Sequence, residues 1–268
     1  MKKLDHLSVI AKSYDTYIID LWGVMHDGIT LNQKAIEVVS ELSKLKKKIV
    51  FLSNAPRPSE NVRNFLRKLK MDEKFLGNIV TSGEAAMIAI NKGLFGRKFY
   101  HLGPSKDDSV FIKVKENKTN LKNCEFILCT GFFDEHMNQL DFYKFLLKDF
   151  ISKKLICTNP DLVVHKGDTE EYCAGMIAQL FEKMGGEVIY YGKPHEEIYK
   201  MCFKNNEKVL AIGDNLRTDI KGANNLNIDS IFIFNGVHRN EVKHHTDLNN
   251  LFNKYRVKPN FFQSELIW

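Results

Sequence analysis

Residues 17–28 read YIIDLWGVMHDG: a greasy run, then an acid, Asp20, then Trp22 and a glycine. Tyr17, Ile18 and Ile19 have the continuously apolar, β-rich character of a strand buried on both faces. From Leu31 onward Ala35, Val38, Val39, Leu42 and Leu45 recur at helical spacing, so the strand leads into a helix. A second buried-strand run, KIVFLSN at 48–54, ends in Ser53 and Asn54. Pro58 and Ser59 then signal a helix start, with Val62, Phe65, Leu66 and Leu69 as its inner face. Strand, helix, strand, helix with unbroken apolar strands predicts an α/β fold, a Rossmann-like parallel sheet covered on both sides. A carboxylate at the exposed end of such a strand asks for a reason.

The rhythm returns near the end in KVLAIGD (208–214), the helical LRTDIKGANNLN (216–227) and the strand SIFIFNG (230–236). Between the two blocks, KFYHLG, EFILCTG, KLICTNPD and EVIYYG read as strands, separated by helical stretches such as QLDFYKFLLKDF and EYCAGMIAQLFEKMG. This middle is too long for a loop and has apolar material of its own. It predicts an α/β domain at 84–188 inserted into a core formed by 1–83 and 189–268.

Composition narrows the function classes. With 268 residues, 44% hydrophobic and 27% charged, the chain has enough apolar material for a core and is not of disordered type. The net charge of +6 comes from lysines scattered along amphipathic stretches without interleaved aromatics, which predicts solvated helix faces rather than a nucleic-acid surface. The five cysteines form no C-x-x-C pair and sit among apolar neighbours, as buried free thiols of a reducing compartment do. The N-terminal stretch is broken by Asp5, His6 and Lys12, and no run nears the roughly 18 apolar residues of a membrane span. A cytoplasmic protein without membrane partners is expected. His244 and His245 lie in the polar stretch RNEVKHHTD and read as surface rather than metal ligands. Phosphate-loop, dinucleotide and serine-hydrolase signatures are missing from the sequence.

Four strand ends carry suggestive polar residues: Asp20, then Ser53 with Asn54, then Lys193, then Asp214 with Asp219 five residues on. Each alone also reads as a cap, a turn former or a solvated lysine. Brought together in a parallel sheet, they would surround one point at the carboxyl ends of the strands. Carboxylates with water suit Mg²⁺, and a lysine with a serine hydroxyl suits phosphate oxygens. That combination predicts phosphoryl transfer, with Asp20 as a carboxylate nucleophile.

DLWGV, FLSNAPR, YGKPH and AIGDNLRTDIKGA resemble motifs one to four of the haloacid dehalogenase superfamily. The place of the insert, and CTNPD followed by YCAGMIAQL, resemble its class IIA branch, which includes nucleotide, sugar, 4-nitrophenyl and pyridoxal phosphatases. The resemblance covers nearly the whole chain. It implies that Asp20 forms a phosphoaspartyl intermediate and touches Mg²⁺, and that Ser53 and the Asn54 amide bind the phosphoryl group. It further implies that Lys193 neutralises charge and that Asp214 is a direct metal ligand. Asp219 would act through the metal's water shell or orient its neighbours, and the Trp22 backbone carbonyl would complete the metal site. Asn159 and Asp161, in the TNPD turn at 158–161, would face substrate or anchor the cap. A homodimer through the cap and a small phosphorylated metabolite as substrate are further implications.

Trp22 departs from the pattern. The superfamily's phosphatases usually have a second aspartate there to protonate the leaving oxygen and then activate water, and an indole does neither. His26 and Asp27 are the nearby substitutes, although loop structure also accounts for them. Three readings stay open: a slow Mg²⁺-dependent phosphatase, a dehalogenase-type hydrolase using the same aspartyl ester, and a noncatalytic binder of a phosphate ligand.

Overall fold

The computed structural model describes residues 1–242 and 247–268, so the His244 and His245 pair lies outside the described residues. In chain order the strands are β1 (Lys2–Lys3), β2 (Thr16–Ile19), β3 (Lys48–Ser53), β4 (Ile79–Thr81), β5 (Phe99–Leu102), β6 (Phe126–Cys129) and β7 (Lys154–Cys157). They continue with β8 (Val163–Lys166), β9 (Thr169–Tyr172), β10 (Glu187–Tyr190), β11 (Val209–Gly213), β12 (Asp229–Ile233) and β13 (Phe261–Gln263).

A seven-stranded sheet in the order β1-β13-β12-β11-β2-β3-β4 is parallel throughout. Its middle strands are apolar because helices cover both faces, and every residue of β2 and β11 is buried. The order reverses between β2 and β11: from β2 the chain moves outward through β3 and β4, and from β11 through β12 and β13. Loops diverge above such a reversal and leave a crevice at the carboxyl ends of the strands. Asp20 and Asp214 are the residues that follow these two strands.

The helix Gln33–Lys44 packs Ala35, Val38, Val39 and Leu42 into the core, as their spacing predicts. Asn32 caps it, its side chain accepting from the Lys34 and Ala35 amides. Leu45, expected on the same face, is 40% exposed because the helix has ended at Lys44. Val62 and Leu66 of the helix Ser59–Lys68 are buried as expected.

The middle strands form a second parallel sheet, ordered β10-β7-β6-β5, with the helices Leu140–Leu147 and Ala174–Lys183 packed in its core. Strands β8 and β9 are a separate antiparallel hairpin, which the sequence reading did not anticipate. The five cysteines are all free and buried. Among the described residues, no helix is long and apolar enough to cross a membrane.

Candidate active site

Asp20 extends β2 by one step, its amide donating to the Ile212 carbonyl at 2.9 Å, so its carboxylate emerges at the reversal point, 7% exposed. Lys193 arrives from the other sheet, three residues after β10. Its Nζ donates to Asp20 Oδ1 at 2.6 Å and to Asp219 Oδ1 at 2.7 Å. The ammonium is 3% exposed as a side chain, so this is a buried bridge.

Asp219 is carried on a π-helical turn, Leu216–Ile220. Both the Asp219 and Ile220 amides donate to the Asn215 carbonyl, at 2.9 and 3.2 Å, and the widened turn swings the Asp219 carboxylate back under the end of β11. There its Oδ2 accepts the Asn215 amide at 3.1 Å. Asp214 Oδ2 accepts the Val237 amide at 2.6 Å. Gly23, at φ +85°, and Gly236 leave space for that carboxylate, since a Cβ on either would overlap it.

Asp20, Asp214 and Asp219 each present an oxygen within 4.8 Å of the others, and all three are buried. One ammonium serves three carboxylates. Burial pushes Asp20 up to about 8, with Asp219 and Asp161 adding to the rise and Lys193 opposing it. Burial, then Asp20 and Asp219, push Asp214 well above the usual carboxylate range. Burial also works against the Lys193 ammonium, but the surrounding carboxylates outweigh it and hold the charge. Asp20 and Asp214 therefore need protons or a cation, and hard oxygen donors at this spacing fit a divalent ion such as Mg²⁺.

Ser53 Oγ accepts the Ala55 amide at 3.2 Å, which leaves its own proton for another acceptor. Asn54 has a role the sequence did not reveal. Its Oδ1 accepts the Lys193 amide at 2.8 Å and its Nδ2 donates to the Lys193 carbonyl at 3.3 Å, so it grips the lysine's backbone across 139 residues.

These groups, except the enclosed Lys193, line a cavity of about 530 Å³ whose opposite wall comes from the insert. Asn159 and Asp161 lie on that wall. Asn159 Oδ1 accepts the Asp161 amide at 3.1 Å, whereas Asp161 Oδ1 accepts from Asn215 Nδ2 at 3.0 Å and Thr218 Oγ1 at 3.1 Å. Asp161 thereby joins the insert to the turn that carries Asp219.

Trp22 points its indole at the insert, Nε1 donating to the His165 carbonyl at 2.8 Å. His26 is 5% exposed, its Nδ1 accepts the Gly28 amide at 3.1 Å, and burial lowers it to about 4, so it stands neutral at pH 7. Asp27 accepts the Ile29 and Thr30 amides at 2.8 and 2.7 Å. Both residues are engaged in shaping the loop.

Further residues were not singled out from sequence. Arg57 pairs with the buried Asp107 of the insert. His238 Nε2 accepts the Leu216 amide at 3.2 Å and its Nδ1 meets Glu241 Oε1 at 2.5 Å, which braces the start of the π-turn. The available signal was the polar NGVH following the apolar SIFIF.

Comparison with known proteins places the same residues in context. Residues 17–115 match a family described as haloacid dehalogenase-like hydrolase, and residues 190–256 one described as HAD-hydrolase-like. The ribonucleotide monophosphatase NagD of Escherichia coli K12 is 30% identical over 88 residues, 31% of this chain; the match spans about a third, 34%, of NagD's own length. The 5'-nucleotidase YutF of Bacillus subtilis is 23% identical over 88% of this chain and 92% of its own. A solved hydrolase of the haloacid dehalogenase-like family from Brucella suis superposes with a TM-score of 0.87 at 25% identity, covering 98% of this chain and all of that one.

Proposed function

Because the chain belongs to the haloacid dehalogenase-like hydrolases, we propose that it is a phosphatase that hydrolyses a small phosphorylated metabolite through a phosphoaspartyl intermediate on Asp20. The observation that carries this reading is the placement of a buried carboxylate, Asp20, at the end of a central strand, 2.6 Å from a lysine and facing a cavity. The division into a core (1–83 and 189–268) and a cap (84–188) belongs to the same reading, with the cavity between them.

In this mechanism Asp20 attacks phosphorus, and the bond to the leaving oxygen breaks. Ser53 Oγ and the Asn54 amide hold the phosphoryl oxygens. Lys193 offsets charge between nucleophile and phosphate, kept in place by Asn54's grip on its backbone. Asp20, Asp214 and the Trp22 carbonyl would hold Mg²⁺, with Asp219 acting through its water shell; the ion, when bound, supplies positive charge for the phosphoryl oxygens. Asn159 and Asp161 form the substrate side, Asp161 also anchoring the cap.

The Trp22 indole N–H is too weak an acid to be transferred to a leaving alkoxide and is held by the His165 carbonyl, and loss of general acid–base help costs about 10²–10⁴ in rate. At about 1.4 kcal/mol per decade this is roughly 3–5 kcal/mol of barrier. Turnover is therefore slow and favours leaving groups that depart without a proton, such as phenolates. The noncatalytic reading, a pocket that binds a phosphate ligand without turnover, draws on the same Trp22. The dehalogenase reading draws on it as well, but has no use for three clustered carboxylates.

The test is Mg²⁺-dependent release of nitrophenol from 4-nitrophenyl phosphate, with Asp20→Asn protein purified in parallel. Turnover requiring both Mg²⁺ and Asp20 supports the phosphatase. A folded protein that binds orthophosphate without turnover sinks it in favour of the noncatalytic reading.

A further inference from the structure

Trp22 is gripped by the core and gives its polar atom to the insert. Its ring lies edge-on to His26 with centroids 5.1 Å apart, and His26 is edge-on to Phe65 at 5.3 Å. The benzo edge occupies the space over Gly28, where any Cβ would collide with it. Held by this packing, the indole has a single donor, Nε1–H. That donor meets the His165 carbonyl, in β8, at 2.8 Å. The tip of the same hairpin is tied twice more: the Gly167 amide donates to the Asp27 carbonyl at 3.2 Å, and Arg239 Nη2 donates to the Gly167 carbonyl at 2.8 Å. Val163, His165 and Lys166 of this hairpin line the cavity that Asp20 faces.

We propose that Trp22 is a positioning residue: the core half of a latch that holds the β8–β9 hairpin shut over the cavity. The aspartate position has thus exchanged proton chemistry for control of the wall that meets the substrate. The latch goes beyond the function proposed above, and its geometry stands whether or not the protein turns over phosphate. A hydrogen bond of this kind contributes about one kcal/mol net, so its loss shifts a local opening equilibrium roughly two- to tenfold without unfolding the protein.

Hydrogen exchange on Trp22→Phe tests it, because phenylalanine retains an aromatic ring and loses the donor. Amides of residues 163–172 are expected to exchange roughly two- to tenfold faster than in the unmutated protein, with β2 and β11 amides unchanged. If 4-nitrophenyl phosphate is turned over, KM rises by a larger factor than kcat changes. Hairpin exchange at the original rate, in a variant with unchanged core exchange, overturns the latch. A second measurement needs no variant: by NMR, the Trp22 indole N–H is expected to exchange in step with the hairpin amides, through one shared opening. An indole N–H that exchanges freely while the hairpin stays protected overturns the proposal independently of how Trp22→Phe folds.

Discussion

The two walls of the cavity are built on different physical terms. On the core side, Asp20 and Asp214 follow strands in which every residue is buried, and Asp20, Lys193 and Asp219 are bridged at 2.6 and 2.7 Å. On the insert side, β8 and β9 contain no fully buried residue. Moving a carboxylate on the first wall means moving a packed sheet, whereas the second can shift by breaking a few hydrogen bonds. The difference teaches that the two walls can change independently. In the proposed mechanism the chemistry sits on the rigid wall and the recognition on the yielding one.

The sharpest way to break the contrast is Lys193→Met. Removing the ammonium leaves buried carboxylates uncompensated, which is expected to cost roughly 3–5 kcal/mol of stability and to bring turnover down to the level of Asp20→Asn. Chemical denaturation at pH 8 alongside the nitrophenol assay measures both. A variant with unaltered stability would mean that the core wall is far less electrostatically strained than its burial implies.

Trp22→Asp sharpens the contrast from the boundary between the walls. It restores a proton-transfer group while releasing the hairpin. The expected outcome for an alkyl phosphate is a rise in kcat of roughly 10² together with a higher KM, read from steady-state kinetics. No gain in a folded, Mg²⁺-binding variant would count against the account of slow turnover given above.

Acid sensitivity crosses the contrast, because each side holds a histidine kept neutral by burial. His26 in the core and His101 in the insert are both lowered to about 4, burial being the main cause and Lys118 adding to it at His101. The unfolded chain, at the ordinary 6.5, binds protons that the folded one refuses. These two rings therefore contribute stability that is full above pH 6.5 and falls as pH drops toward 4, by up to about 1.4 kcal/mol per pH unit for each histidine, against an opposite slope from the raised Asp20 and Asp214. Thermal melts of His101→Gln against the unmutated protein across that window isolate one ring's slope, and a difference that does not vary with pH would show that this ring takes up its proton in place.

The smallest effect is expected at the hairpin surface. His165 Nε2 and Glu170 Oε2 are 3.6 Å apart, and Glu170 is half exposed. Glu170→Ala should change stability by less than about 0.5 kcal/mol, measured by urea denaturation. A larger loss would mean that the insert wall depends on side-chain charge more than its exposure suggests.

The sequence made the rigid wall legible and left the yielding one obscure. Unbroken apolar runs ending in Asp20, Ser53 and Asp214 mark strands and their carboxyl ends, because a doubly covered parallel strand has to be apolar along its length. The hairpin was missed although VVHKGDTEEY carries a turn signal at Gly167, since its strands lack the alternation that one buried face imposes. One edge of the seven-stranded sheet was hidden because β1 is two lysines and its neighbour β13 three residues long. The π-turn could not be read because LRTDI fits an ordinary helix equally well, and the Asn215 amide bond to the Asp219 carboxylate that accompanies the widened turn, although local, has no sequence signature of its own. Asn54's grip on Lys193 and Trp22's reach to His165 span 139 and 143 residues, distances at which local patterns carry no information.

One feature of the hairpin's attachment bears on how such a protein diversifies. Trp22, Arg239 and Asp27 all meet it through main-chain atoms, the His165 carbonyl, the Gly167 carbonyl and the Gly167 amide. These contacts are indifferent to hairpin side chains, provided Gly167 keeps its left-handed turn. On the proposed latch, residues 163–166 can therefore be exchanged over generations to suit a new phosphorylated substrate while the hydrogen bonds that hold the hairpin persist. Innovation and containment are inherited on separate atoms of the same ten-residue segment, Val163–Tyr172.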